Sequence, residues 1–130
     1  MASILRVNTL TDASSNNSTA MSTINQGTAK AWVNFNGSGT IAARDSFNNA
    51  SLTDNGTGDY TLTATNAMSN DDYAGTVTGD VDGVGDFCEA CTGDNATART
   101  TTVIRARTGN TGGTPQDSVT ISVLICGDLA

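Results

Sequence analysis

The chain has 130 residues, about one domain's worth, and with 37% hydrophobic and 5% aromatic residues a lone copy has material for only a thin core. Thirteen acidic residues against six basic ones give a net charge of −7, which excludes a phosphate-binding face and reads as solubility. The absence of histidine removes Ser-His-Asp and Cys-His catalysis and His-metal chemistry, and no apolar run approaches the roughly 20 residues of a membrane span.

Thr, Asn, Ser and Gly dominate while Glu, Lys, Gln and Leu are scarce, so the expected fold class is all-β. Thin cores are usually supplemented by a partner chain, a metal or disulfides. The start, Met1-Ala2-Ser3-Ile4-Leu5-Arg6, has no apolar signal region, so release by lysis is the expected way out of a cell.

Taken in chain order, residues 1–28 stand apart. One strand-like run carries Ile4, Leu5, Val7 and Leu10, and the stretch after it has no apolar periodicity. This segment has too little to bury to fold alone, leaving a flexible tail or an extended arm ordered against another chain. The apolar anchors favour the arm. From Ala29 the pattern changes: Ala31, Val33 and Phe35 alternate with Trp32, Asn34 and Asn36 as far as Gly37-Ser38-Gly39, a strand followed by a turn. A second strand is expected over residues 41–47.

Asp54-Asn55-Gly56-Thr57-Gly58-Asp59 is the strongest hairpin signal, with Asn55-Gly56 as the expected turn centre. In the strand after it, Tyr60, Leu62 and Ala64 face one way and Thr61, Thr63 and Thr65 the other. A further strand is expected over 73–81, a long acidic loop over 79–95, and a closing pair, 100–107 with 119–126, around the turn 108–115. Val119, Ile121, Val123 and Ile125 mark the core face of the last strand. Six to eight strands at this spacing predict an antiparallel, jelly-roll-like β-sandwich over residues 29–130.

Several groups invite chemical readings, each with a plainer one beside it. Asp80, Asp82 and Asp86 lie on a Gly-rich run that could wrap a hard cation, but Val84 and Cys91 stand where an EF-hand needs ligands. A solvated acidic loop is the expectation, with no metal and no cofactor. Cys88 and Cys91 have C-x-x-C spacing, but only Cys126 is left as a further thiol and no histidine exists, so zinc is not expected. Reduced thiols in a host cytoplasm, open to oxidation after lysis, fit better.

Asp45, Asp54 and Asp59 sit at strand ends and turns, where Asp serves geometry, so no catalytic residue is expected. Trp32 lies on the outward register of its strand, either covered by a neighbouring subunit or serving as a sugar-stacking platform; the thin core favours the interface. Arg105 and Arg107 share a face and suit either acidic groups across an interface or plain solvation. The Asn-x-Ser/Thr matches, Asn95 among them, are expected by chance in so Asn- and Thr-rich a chain.

The run Lys30-Ala31-Trp32-Val33-Asn34-Phe35, the element Arg44-Asp45-Ser46-Phe47-Asn48 and the hairpin Leu52-Thr53-Asp54-Asn55-Gly56-Thr57-Gly58-Asp59-Tyr60-Thr61 together resemble a recurring domain of bacteriophage tail fibre and virion proteins. The resemblance continues through Ala67-Met68-Ser69-Asn70-Asp71-Asp72-Tyr73 and spans roughly residues 29–127. It implies a β-sandwich knob, usually a homotrimer, at a fibre end or on a particle surface. Ile4-Leu5-Arg6-Val7-Asn8-Thr9-Leu10-Thr11-Asp12 also looks like the start of many phage fibre proteins, without the long shaft those carry.

Three functions follow as expectations. The first is a fibre-tip module contacting a host surface glycan or protein through loops that include Asp54, Asn55, Asp59 and Asn110. The second is a capsid decoration protein (cement or head fibre) clamping the phage head. A carbohydrate-processing enzyme is the least expected. Ile4, Leu5, Val7, Leu10 and Trp32 are the expected contacts with sister copies and other virion proteins.

Overall fold

The computed structural model describes residues 4–80, 86–89, 99–110 and 112–130. The chain is mostly β-strand. It forms β1 (Thr9–Thr11), β2 (Ser18–Ala20), α1 (Met21–Gly27), β3 (Ala29–Asn36), β4 (Ala42–Phe47), β5 (Asn49–Gly56), β6 (Asp59–Ala64), β7 (Ala74–Asp80), β8 (Asp86–Glu89), β9 (Val103–Asn110) and β10 (Thr120–Cys126). Two antiparallel four-stranded sheets result, ordered β4-β3-β10-β7 and β5-β6-β9-β8, with β1 and β2 as a separate pair.

Period-two alternation produces the core. Ala31, Val33 and Phe35 of β3 and Ile121, Val123 and Ile125 of β10 turn inward from the first sheet. Tyr60 and Leu62 of β6 and Ile104 and Ala106 of β9 turn inward from the second and join the same buried cluster. Phe35 and Tyr60 meet across the sheets edge to face, ring centroids 5.2 Å apart. The Tyr60 hydroxyl donates to the Gly37 carbonyl at 2.8 Å and to Asp117 Oδ1 at 3.1 Å. Burial, then the Asp117 charge, push the Tyr60 phenol up to about 12. Gly37 admits no larger residue, because a Cβ there would lie 2.6 Å from both Ile121 Cδ1 and the Tyr60 oxygen.

The chain passes from the first sheet to the second at Asn48, which adopts a positive φ of 54°. Asparagine tolerates that region, and here its side chain is fully used. Asn48 Nδ2 donates to the carbonyls of Lys30 and Asn66, and Oδ1 accepts the Asn66 N–H. The Arg44–Asn48 element thus ends in a corner held by one side chain.

Several expectations need correcting. The hairpin joins β5 to β6, but Asn55 falls at a register shift and the loop is Thr57-Gly58. Gly58 carries the αL conformation at φ 65°, and its N–H donates to Asp117 Oδ1 at 2.7 Å. A Cβ there would run into the Thr108 carbonyl. The tertiary contact selects Gly58 over the locally favoured Asn-Gly.

The two last long strands do not pair with each other. β9 pairs with β6 and β8, whereas β10 pairs with β3 and β7, so the segment between them changes sheets. Both strands present an apolar face, and alternation specifies facing without specifying partners. β9 also runs on to Asn110, inside the expected turn, and Val119 precedes β10 and is 36% exposed instead of core.

Within the expected acidic loop the chain forms β8, an edge strand held by the ladder to β9. Residues 81–85 and 90–95 of that loop lie outside the described residues. The N-terminal segment also holds elements that its polarity hid. β1 and β2 pair around a turn in which Asp12 accepts from Asn17 Nδ2, Asn16 N and Ser14 Oγ, and the Asn17 contact leads in holding its carboxyl below the usual range. α1 follows with Met21 and Ile24 half-buried.

Candidate interaction surface

The outward registers of the first sheet line up. On this face Phe47 of β4 is paired with Trp32 of β3, Trp32 with Leu124 of β10, and Leu124 with Thr76 of β7. Strands lie about 4.8 Å apart, so these side chains form one row across the sheet. Phe47 is 50% and Leu124 42% exposed, and Trp32 is half-buried between them. The next row is polar: Asp45, Asn34, Ser122 and Thr78, with Asn34 Nδ2 donating to Ser122 Oγ at 2.8 Å. A shallow groove runs between Trp32, Leu124, Thr76 and this polar row.

Two charged residues of β4 flank the row. Arg44 donates to the carbonyls of Phe35 at 3.1 Å and Val119 at 2.6 Å and to Asn34 Oδ1 at 3.4 Å. Asp45 accepts only the neighbouring Ser46 N–H and stays exposed. Every residue of β4 is exposed, so its outer edge and the apolar row form one continuous open surface.

The N-terminal apolar residues are also open. Ile4 is 75%, Leu5 80%, Val7 37% and Leu10 45% exposed. The expected interface set therefore falls into two unpaired pieces, this segment and Trp32. Phe47 and Leu124 complete the second piece and were missed. Their signal was present: each is a large apolar residue in the outward register of its strand, next to a polar outward position, Asp45 or Ser122.

At one end of the second sheet the expected receptor-facing residues gather around the β5–β6 loop. Arg105 Nε donates to Asp59 Oδ1 at 2.6 Å, Arg105 also pairs with Oδ2, and Arg107 Nη2 lies 3.6 Å from Oδ2. The Arg105 hydrogen bond, then the Arg105 charge, outweigh burial and hold the Asp59 carboxyl below its usual range. Of the two readings left open for Arg105 and Arg107, both find an acid, but within their own chain. Asn55 Nδ2 donates to Thr61 Oγ1 at 2.8 Å, and the Asp54 carboxylate accepts the Gly56 N–H.

Asn110 is turned to its own loop, where Oδ1 accepts the Gly112 and Thr114 N–H groups at 3.0 Å each. Between these parts opens a cleft of about 180 Å³ lined by Thr57, Asp59, Arg107, Thr108, Gly113 and Pro115. Asp59, Asn55 and Asp54 thus share one end with the 108–117 segment, although their carboxylates and amides are largely spent on local bonds. Asp117, which ties that segment to Gly58 and Tyr60, had no distinguishing mark in the sequence.

Of the weak cation candidates, Asp80 closes β7 and Asp86 opens β8, and Asp82 lies outside the described residues. Among the described residues no three His, Cys, Asp or Glu side chains are grouped as metal ligands. Cys126, at the end of β10, is a free, half-buried thiol; Cys91 lies outside the described residues. No described helix is long and apolar enough to cross a membrane. Comparison with protein-family models, with curated proteins and with solved structures finds no match.

Proposed function

We propose that this chain is a structural protein of a bacteriophage particle: a trimeric tail-fibre or fibre-tip module, exposed on the virion and contacting the host surface. In this reading the two sheets with their common core are a β-sandwich knob, residues 1–28 are the arm that docks on other virion proteins, and no reaction is catalysed. The observation that carries the assembly half is the apolar row Phe47, Trp32 and Leu124, left open on the outer face of the first sheet beside a polar row. Contiguous exposed apolar side chains mark surfaces that another protein covers. The phage half rests on the sequence resemblance, whose quoted residues have definite structural tasks: strand β3, the Asn48 corner and the β5–β6 hairpin.

Immunogold labelling of intact virions with an antibody against residues 29–130 tests the placement. Gold at the tail end is the expected result, and glycan binding by the knob is then the next assay. Gold spread over the head replaces host contact with capsid decoration, and particles free of gold overturn the virion reading.

A further inference from the structure

Among the described residues two clusters of exposed apolar side chains lack a partner, and they differ in shape. One is narrow and linear: Ile4, Leu5, Val7 and Leu10, all exposed on a segment that joins neither large sheet. The other is a broad face, the row Phe47, Trp32 and Leu124 with the groove beside it. An extended segment rises about 3.3 Å per residue, so residues 4–10 reach roughly 20 Å, enough to cross a four-stranded sheet.

Charge points the same way. Of the chain's six Lys and Arg residues, five meet partners in the folded body. Lys30 donates to Thr28 Oγ1, Arg44 to the Phe35 and Val119 carbonyls, Arg99 to the Tyr73 carbonyl, and Arg105 and Arg107 pair with Asp59. Arg6 is the sixth. It stands in the middle of the exposed apolar run, with no ion pair or hydrogen bond among the described residues. On the face, Asp45 likewise makes no ion pair among the described residues, since Arg44 donates to the Phe35 and Val119 carbonyls and to Asn34 Oδ1. Asp45 lies two residues from Phe47 on the same side of β4, about 7 Å along the strand.

We infer that residues 4–10 of one copy lie across the outer face of the β4-β3-β10-β7 sheet of a second copy, with Leu5 and Val7 over Phe47, Trp32 and Leu124 and Arg6 paired with Asp45. This rests on the proposed self-assembly and names its surface. Each copy gives one arm and receives one, a head-to-tail contact that closes as a ring of three. Arg6 lies on the opposite side of the extended arm from Leu5 and Val7, and its long side chain carries the charge over the arm to the rim of the row.

The single tryptophan makes the contact readable, because Trp32 lies beneath the proposed arm. Sedimentation of the full chain, with acrylamide quenching of Trp32, should show a trimer with a protected indole. Removing residues 1–10 should give monomers with quenching increased several-fold and an unchanged strand spectrum by circular dichroism. Leu124→Asp should reproduce that result with the arm intact. Arg6→Asp should weaken association, and adding Asp45→Arg to it should restore the trimer.

A trimer that survives loss of residues 1–10 overturns the arm contact while leaving self-assembly standing. A monomeric full chain with a freely quenched Trp32 overturns both. A monomeric full chain whose Trp32 becomes exposed only on arm removal places the chain's own arm on the face, and overturns exchange between copies.

Discussion

The outer faces of the two large sheets are built on the same alternation and end in opposite states. On β6 and β9 of the second sheet, outward positions carry Thr61, Thr63, Asp59, Arg105 and Arg107, and Asp59 pairs with both arginines. Those ion pairs are made within one chain. On the first sheet the outward row Phe47, Trp32 and Leu124 has no such closure, and its polar neighbours bond along the sheet, leaving the apolar row uncovered. Inward residues make a fold, whereas outward residues decide whether it is finished as a single copy. The thin composition sharpens the point, since apolar area is scarce and three large side chains are spent outside.

The largest effect should come from the part both sheets share. Phe35 is fully buried and meets Tyr60 across the core. Phe35→Ala should cost about 3–5 kcal/mol in urea unfolding, and a much smaller loss would mean that the sheets do not depend on one core.

Next comes the self-closed face. Asp59→Ala removes the carboxylate from an arginine whose side chain is only 12% exposed, and should cost about 2 kcal/mol. Because folding lowers the Asp59 pKa, the stabilisation is fully present above the unfolded value near 4 and fades as pH falls through the depressed folded value. The gap between the parent and Asp59→Asn in urea midpoint should therefore be wide at pH 7 and shrink below about pH 4. A gap independent of pH would show that the pair does not matter through its charge.

Tyr60→Phe keeps the ring and removes the hydroxyl that serves the Gly37 carbonyl and Asp117, so about 1–2 kcal/mol should be lost. The smallest effect belongs to the open face. Leu124→Thr, matching its neighbour Thr76, should change the stability of a dilute single copy by no more than about 0.5 kcal/mol. A large loss there would mean that Leu124 supports the fold itself, erasing the contrast between the two faces.

Much of this contrast was legible along the chain. Trp32 stood out as an aromatic residue out of phase with Ala31, Val33 and Phe35, and it does lie on the outer face. Leu124 carried the same mark in β10 but was hidden by the apolar residues on either side of it. The Asp59 pair with Arg105 was not legible, since its members lie 46 residues apart and meet only because β6 and β9 are neighbours. The short helix α1 and the edge strand β8 were missed for a related reason. Neither has a clean periodicity of its own, and β8 is held by its ladder to β9.

By itself, the sequence determined the all-β class, the places of β3, β6, β7 and β10, and the alternation of their two faces, with Val119 wrongly set on the core face. Those follow from a two-residue period that each strand carries locally. Tertiary structure alone decided that β9 joins β6 and β8 while β10 joins β3 and β7, that the hairpin turns at Thr57-Gly58, and that Asp59 faces two arginines. The physical reason is that backbone hydrogen bonds are alike in every strand. Partners are therefore chosen by the burial and close contacts of the assembled core, and no single stretch of chain contains them.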